Sequence, residues 1–324
     1  MKRVLAAVAV ASLVSPAAAS AHPRPVPPAE LSSHWSAPPA VVALALVAVV
    51  LFAQALVRLR RRGRADLAGA DRVLLFTAGL ALLVLPLVSP LDAVAERYLL
   101  SAHMLQHVLV ADAAPAFLVL ALRGPLGLFF LPAAVLRRLA PLRPLLGVLL
   151  RPPVAFALWA ATILGWHFPT AYDFTLLHPW AHELEHASLV VAGTLAWIQV
   201  VDPLRRAHLT RGRRALFAFG MLVLGTAIVD GLLFSRAPAY AVYAAERHRV
   251  FGLSALLDQR LAAAVMFAEQ ALAVGAALVL LLRPSLRSAP SGPASTVTRL
   301  CHPPPRRRRR SAFASSAAAR SRRS

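Results

Sequence analysis

Two histidines, His103 and His107, stand four residues apart in the stretch SAHMLQHVLVAD, Ser101–Asp112, inside an apolar run from Tyr98 to Leu122. Side chains four apart lie one above the other on a helix, so both imidazoles share a face. Ionisable groups at membrane depth are costly and mark sites by default. Imidazole suits copper and zinc, and Met104 between the two adds a soft ligand for Cu(I). The bland reading is two histidines hydrogen-bonded to neighbouring helices. A second series, His178, His182 and His186, repeats the i, i+4 spacing and forms a second candidate ladder. Its HELEH matches the His-Glu-x-x-His signature of zinc peptidases, with Glu183 as general base and Asp258 or Asp230 as a third ligand. A zinc metallopeptidase is therefore the rival reading, although it gives His103 and His107 no task. Asp112 could pair with an arginine or relay protons. Asp258 opens another apolar run and reads either as a helix cap or as a site residue. A haem bundle ranks below these, because the candidate histidines crowd one rim rather than pairing at two depths.

The chain around these residues has 324 positions, of which 58% are hydrophobic and 15% charged. Several runs approach the roughly 20 apolar residues that a spanning helix needs. The fold class is all-α, a polytopic membrane helical bundle with about seven transmembrane helices after a cleaved signal peptide. Lys2-Arg3, an apolar stretch and Ala19-Ser20-Ala21 make residues 1–21 a secretory signal. Residues 22–39 form a Pro-rich outer segment. Spans then cover about Ala40–Val57, Val73–Val88, Tyr98–Leu122, Val154–Phe168, Glu183–Val201, Ala215–Phe234 and Asp258–Leu282. Residues 124–151, leucines and prolines with four arginines, read as an interfacial stretch. From 284 to 324 the composition is that of a disordered, Arg/Ser/Pro-rich cytoplasmic tail.

The net charge of +21 resides in arginine blocks between apolar runs and in the tail. That is the positive-inside pattern, and it argues against nucleic acid as a partner. It sets a plasma-membrane topology with the N-terminus outside and the C-terminus cytoplasmic. The same alternation gathers His103, His107, His167, His178, His182, His186, Asp230 and Asp258 at the outer rim, leaving His208 in a cytoplasmic loop. The only lysine is Lys2, so the bundle has no Schiff-base residue. The single cysteine, Cys301, leaves no Cys-x-x-Cys site and no internal disulfide.

HMLQH, Trp166–Pro169 (WHFP), Gly193 and Trp197 after the H-x-x-x-H pair, Pro238–Tyr243 (PAYAVY) and Asp258–Met266 (DQRLAAAVM) follow one another in that order. Together they resemble the caa3-type CtaG family of cytochrome c oxidase assembly factors, across most of residues 40–283. The family usually has Gly and Trp late in the last motif, where this chain has Ala263 and Phe267. The resemblance implies a non-enzymatic role in maturing a haem–copper oxidase, with an oxidase subunit as partner and copper handled on the outer side. The expected ligands are His103 and His107 at the centre, His182 and His186 from the fifth span, and His167 and Asp258 as additional or supporting groups. Copper is the expected ion, with zinc as the alternative, and metal transport is a further alternative.

Overall fold

The computed structural model describes residues 27–204 and 209–287. The expected signal peptide, the first part of the Pro-rich segment, His208 and nearly all of the tail with Cys301 lie outside the described residues.

Every regular element described is helical. The first long helices are α1 (Pro39–Arg61) and α2 (Ala70–Val88), followed by a short α3 (Pro90–Arg97) and then α4 (Leu100–Ala121). Three short helices, α5 (Pro125–Phe130), α6 (Ala133–Arg138) and α7 (Arg143–Leu149), occupy the stretch read as interfacial. Next come α8 (Pro152–His167), α9 (Pro169–Leu177), α10 (Pro179–Val201), α11 (Arg211–Leu233), the short α12 (Ala241–Ala245) and α13 (Ala255–Arg287). Among the described residues six helices are long and apolar enough to cross a membrane, or seven if the pair Ala140–Leu149 and Pro152–His167, bent by 77°, forms one span. The bend falls at Arg151, which is extended at φ −68° and ψ 130° because the ring of Pro152 disfavours helical geometry before it. The expected fourth span is thus the shortest, with 16 helical residues of its own.

Between lipid-facing helices there is no hydrophobic driving force, so close backbone approach and hydrogen bonds carry the packing. α4 and α10 sit at the centre, each half buried, whereas α1 turns most of its surface outward. α2, α3, α10 and α13 all pack on α4, and α13 also lies along α11. At one end Phe52 of α1 stacks on Phe76 of α2, with ring centroids 3.9 Å apart.

The expected third span is present as one helix, α4, but it is not α-helical throughout. Residues Leu109–Ala113 form a π-helical turn inside α4. Pro115 lacks the N–H that would otherwise bond the Ala111 carbonyl, and the ladder widens by one residue to accommodate the loss. The Ala111 carbonyl instead abuts Gly193 of α10, where a Cβ would collide with it. Trp197, one turn further along α10, donates its indole N–H to Asp112 of the same π turn. Asp112 therefore pairs with an indole, not with an arginine.

Arginines at the opposite end from the histidines complete helix termini. Arg72 donates to the Leu120 carbonyl of α4 at 2.9 Å. Arg214 donates to the Val200 and Val201 carbonyls of α10 at 2.7–2.9 Å. Both satisfy orphan carbonyls where the helix dipole favours a cation.

Candidate metal centre

α4 and α10 each present one i, i+4 histidine pair to the other. His103, His107, His182 and His186 each offer one ring nitrogen, and those four atoms lie within 4.8 Å of one another. The His103 and His107 Nε2 atoms are 2.9 Å apart, and the His182 Nε2 is 3.3 Å from that of His103. Four nitrogens at about 2.0–2.1 Å around a tetrahedral ion stand roughly 3.3 Å apart. The His103–His107 and His103–His182 spacings are therefore already near that value, and every pair lies within 4.8 Å.

The tautomer of His103 is fixed by its surroundings. Tyr243, buried within α12, donates its hydroxyl proton to the Ala95 carbonyl at 2.5 Å. Burial pushes this hydroxyl well above the ordinary tyrosine pKa, so its one proton stays in place. The His103 Nδ1, 2.7 Å from the same oxygen, must then be the donor. In neutral imidazole this leaves the His103 Nε2 with a bare lone pair facing the other three rings. The cluster also contains buried nitrogens without a hydrogen-bond partner, His107 Nδ1 and His186 Nε2. The His103 Nε2 lone pair and the orphaned nitrogens are donor atoms that a metal cation could satisfy.

Two acids flank the cluster. Glu185 of α10 is wholly buried, with one oxygen 3.7 Å from the His107 Nε2 and neither oxygen in a hydrogen bond of ordinary geometry. Glu96 of α3 is half exposed and lies 3.4 Å from the His182 Nδ1. Glu183 is exposed. Helical periodicity alone did not separate these glutamates, since each lies about 80° from the mean direction of His182 and His186. Continuing the stripe through Leu189, Ala192, Ala196 and Val200 does separate them, because those buried residues lie on the Glu185 side.

His178 does not join the cluster. Pro179 starts α10, and the residue before proline is held extended, so His178 is its N-cap at φ −133° and stacks on Phe174. His167 lies outside the four-ring group; its Nδ1 is 2.8 Å from the Ile163 carbonyl. Asp258 also lies outside it. Its carboxylate accepts from the Leu100 N–H at 2.7 Å, the Ser101 N–H at 3.1 Å and the Ser101 hydroxyl at 2.5 Å. Asp258 therefore caps the first turn of α4 from a different helix and orients the turn that bears His103. Asp230 is exposed on α11.

The remaining polar residues of the motifs tie helices together. Gln106 donates to the Pro86 carbonyl at 3.0 Å and to Asp92 at 2.7 Å. The Pro86 carbonyl needs such a donor, because residue 90, its normal helical partner, is proline. Gln259 donates to the Leu232 carbonyl at 2.9 Å and accepts from the Ala239 N–H at 2.6 Å, fixing the end of α11. Trp166 donates to Ser188 across α8 and α10 at 2.8 Å.

These features define a multi-pass helical membrane protein with a buried four-histidine cluster between its two central helices. A sequence model of the cytochrome c oxidase caa3 assembly factor family (Caa3_CtaG) matches residues 50–288. The chain belongs to that family. No curated protein and no solved structure matches it.

Proposed function

We propose that this chain handles copper during assembly of cytochrome c oxidase, holding the ion at His103, His107, His182 and His186 on the outer side of the plasma membrane. The observation that carries the reading is the convergence of four ring nitrogens from two facing helices on one buried point. Copper is cargo in this reading, and no covalent step is assigned to the protein. Neutral imidazoles accept Cu(I), Cu(II) and Zn(II), and membership in an oxidase assembly family favours copper over zinc. Glu96 at the edge of His182 gives an approaching cation a partly exposed first contact. Glu185 beside His107 supplies negative charge where a bound ion would otherwise be uncompensated. The partner is a subunit of the terminal oxidase, met through lipid-facing helices.

The peptidase alternative needs Glu183 against a metal-bound water, and an exposed Glu183 does not meet that need. The test is the metal content of purified protein with and without His103→Ala and His107→Ala. A loss of about one copper ion per chain in the double variant relative to the parent supports the assignment. Copper absent from both, or equal in both, ends it.

A further inference from the structure

Deeper than the histidine cluster, between α4, α8, α11 and α13, lies a cavity of about 60 Å³. A single water needs only about 10–15 Å³ measured in this way, so the space accommodates a small ion with its ligands. The sequence has four methionines, and the three beyond Met1 are Met104, Met221 and Met266. All three line this cavity, although they come from three different helices. Each is at least 95% buried. Methionine often fills gaps in apolar cores. A gap-filling role, however, predicts thioethers scattered wherever packing is irregular, not all of them around one space that is left open.

The polar residues on the same wall point to a ligand independently. The His167 Nδ1 faces the Ile163 carbonyl, which can only accept, so this nitrogen carries the proton. Its Nε2 is then a bare lone pair, and it is buried without a partner. His107, 4% exposed, borders the cavity as well as the cluster, and its Nδ1 is likewise buried without a partner. Asp112 and Glu269 also line the cavity, and one Glu269 oxygen is buried without a partner.

We infer that this cavity is a second metal site, separate from the imidazole cluster, which binds a soft monovalent ion, Cu(I), through the Met104, Met221 and Met266 thioethers together with His167. Thioether and imidazole donors select Cu(I) over Zn(II) and over hard cations. The inference does not depend on the histidine cluster binding metal.

The test uses the full chain in lipid nanodiscs, loaded with Cu(I) under reductant and freed of loose ion by a chelator. Copper-edge X-ray absorption is then measured beside total copper. A sulfur shell is expected in the parent protein. Met221→Leu/Met266→Leu, which conserves volume and apolar character, should remove that shell and lower total copper by about one ion per chain. Met266→Leu alone should weaken it in a chain that differs at one buried position. His182→Ala/His186→Ala should reduce the nitrogen-bound copper and leave the sulfur shell in place. The inference is overturned if the parent shows no sulfur shell, if the leucine variants keep it undiminished, or if it vanishes with the His182/His186 pair. A failure of the histidine-cluster reading looks different: nitrogen-bound copper would be untouched by the alanine pair while the sulfur shell persisted.

Discussion

The hydroxyl of Tyr243 decides which nitrogen of His103 is free. It has one proton, given to the Ala95 carbonyl, and so it can only accept from the ring. Tyr243→Phe removes that acceptor and lets His103 place its proton on Nε2, facing the other imidazoles. Losing a supporting partner of this kind typically costs 10–100-fold in metal affinity, and a loss in that range is expected in chelator competition. Unchanged affinity would mean that the tautomer is set some other way. Asp92 permits a prediction with a pH sign. Burial, reinforced by the like charge of Glu96, pushes its carboxyl up to about 6, against the Gln106 hydrogen bond and the nearby His182 and His34, which pull it down. A raised carboxyl pKa means that the folded state holds the proton more tightly than the unfolded chain does. Its stabilising contribution is complete below about 3.8 and is lost as pH rises through about 6. Asp92→Asn keeps an oxygen for Gln106 but cannot titrate. Thermal unfolding of the variant in detergent should lose part of the pH dependence seen between about 4 and 6 in the parent. An identical pH slope in both proteins would refute the assignment to Asp92.

The central helices meet through two contacts that leave little tolerance. Gly193 of α10 rests against the carbonyl that Pro115 leaves free at Ala111. An added methyl has nowhere to go, because both neighbours are backbone. Gly193→Ala should lower stability by about 1–3 kcal/mol or more, visible as a lower melting temperature and a broader size-exclusion peak. Wild-type melting would show that the helices separate easily at this point. Asp258→Asn keeps one acceptor but turns an NH₂ toward the Leu100 and Ser101 donors. We expect a loss of about 1–3 kcal/mol together with weaker metal binding, since His103 sits in the next turn. Much of this frame was legible in the sequence. Seven apolar runs and arginine blocks give the helices, and two i, i+4 pairs give the four clustered histidines. What escaped was decided between helices rather than along one. The π turn follows from Pro115 and Gly193 jointly, although they sit in different spans. Asp258 reads as the cap of its own helix and in fact caps α4. His178 fits the helical spacing, yet Pro179 removes it from the helix. Glu185 drew no notice, because HELEH directs attention to Glu183.

At the scale of the whole molecule the distribution of charge and the position of the site make one claim. Arg58, Arg60 and Arg61 close α1 and Arg62 and Arg64 follow it, Arg137, Arg138 and Arg143 lie on the short helices, and Arg211, Arg213 and Arg214 open α11. All fall at the helix ends opposite the histidine cluster, whereas Asp92, Glu96 and Glu246 lie on the cluster's side. Arginine-rich loops stay in the cytoplasm. The four imidazoles should accordingly face outward, the side on which an oxidase subunit exposed beyond the membrane could receive copper. Labelling with a membrane-impermeant thiol reagent tests this directly, because the one native cysteine can be removed as Cys301→Ser. In that background Ala245→Cys, exposed at the end of α12, should label in intact cells. Ala134→Cys, exposed on α6, should label only after the membrane is opened. The reverse pattern would place the histidines on the cytoplasmic side and make delivery to an outer-face copper centre impossible. Labelling of both positions in intact cells would break the link between arginine blocks and sidedness on which the outward assignment rests. The expected pattern leaves Glu96 and His182 as the part of the cluster nearest the external solution, so Glu96→Gln should slow copper loading more than it weakens copper once bound.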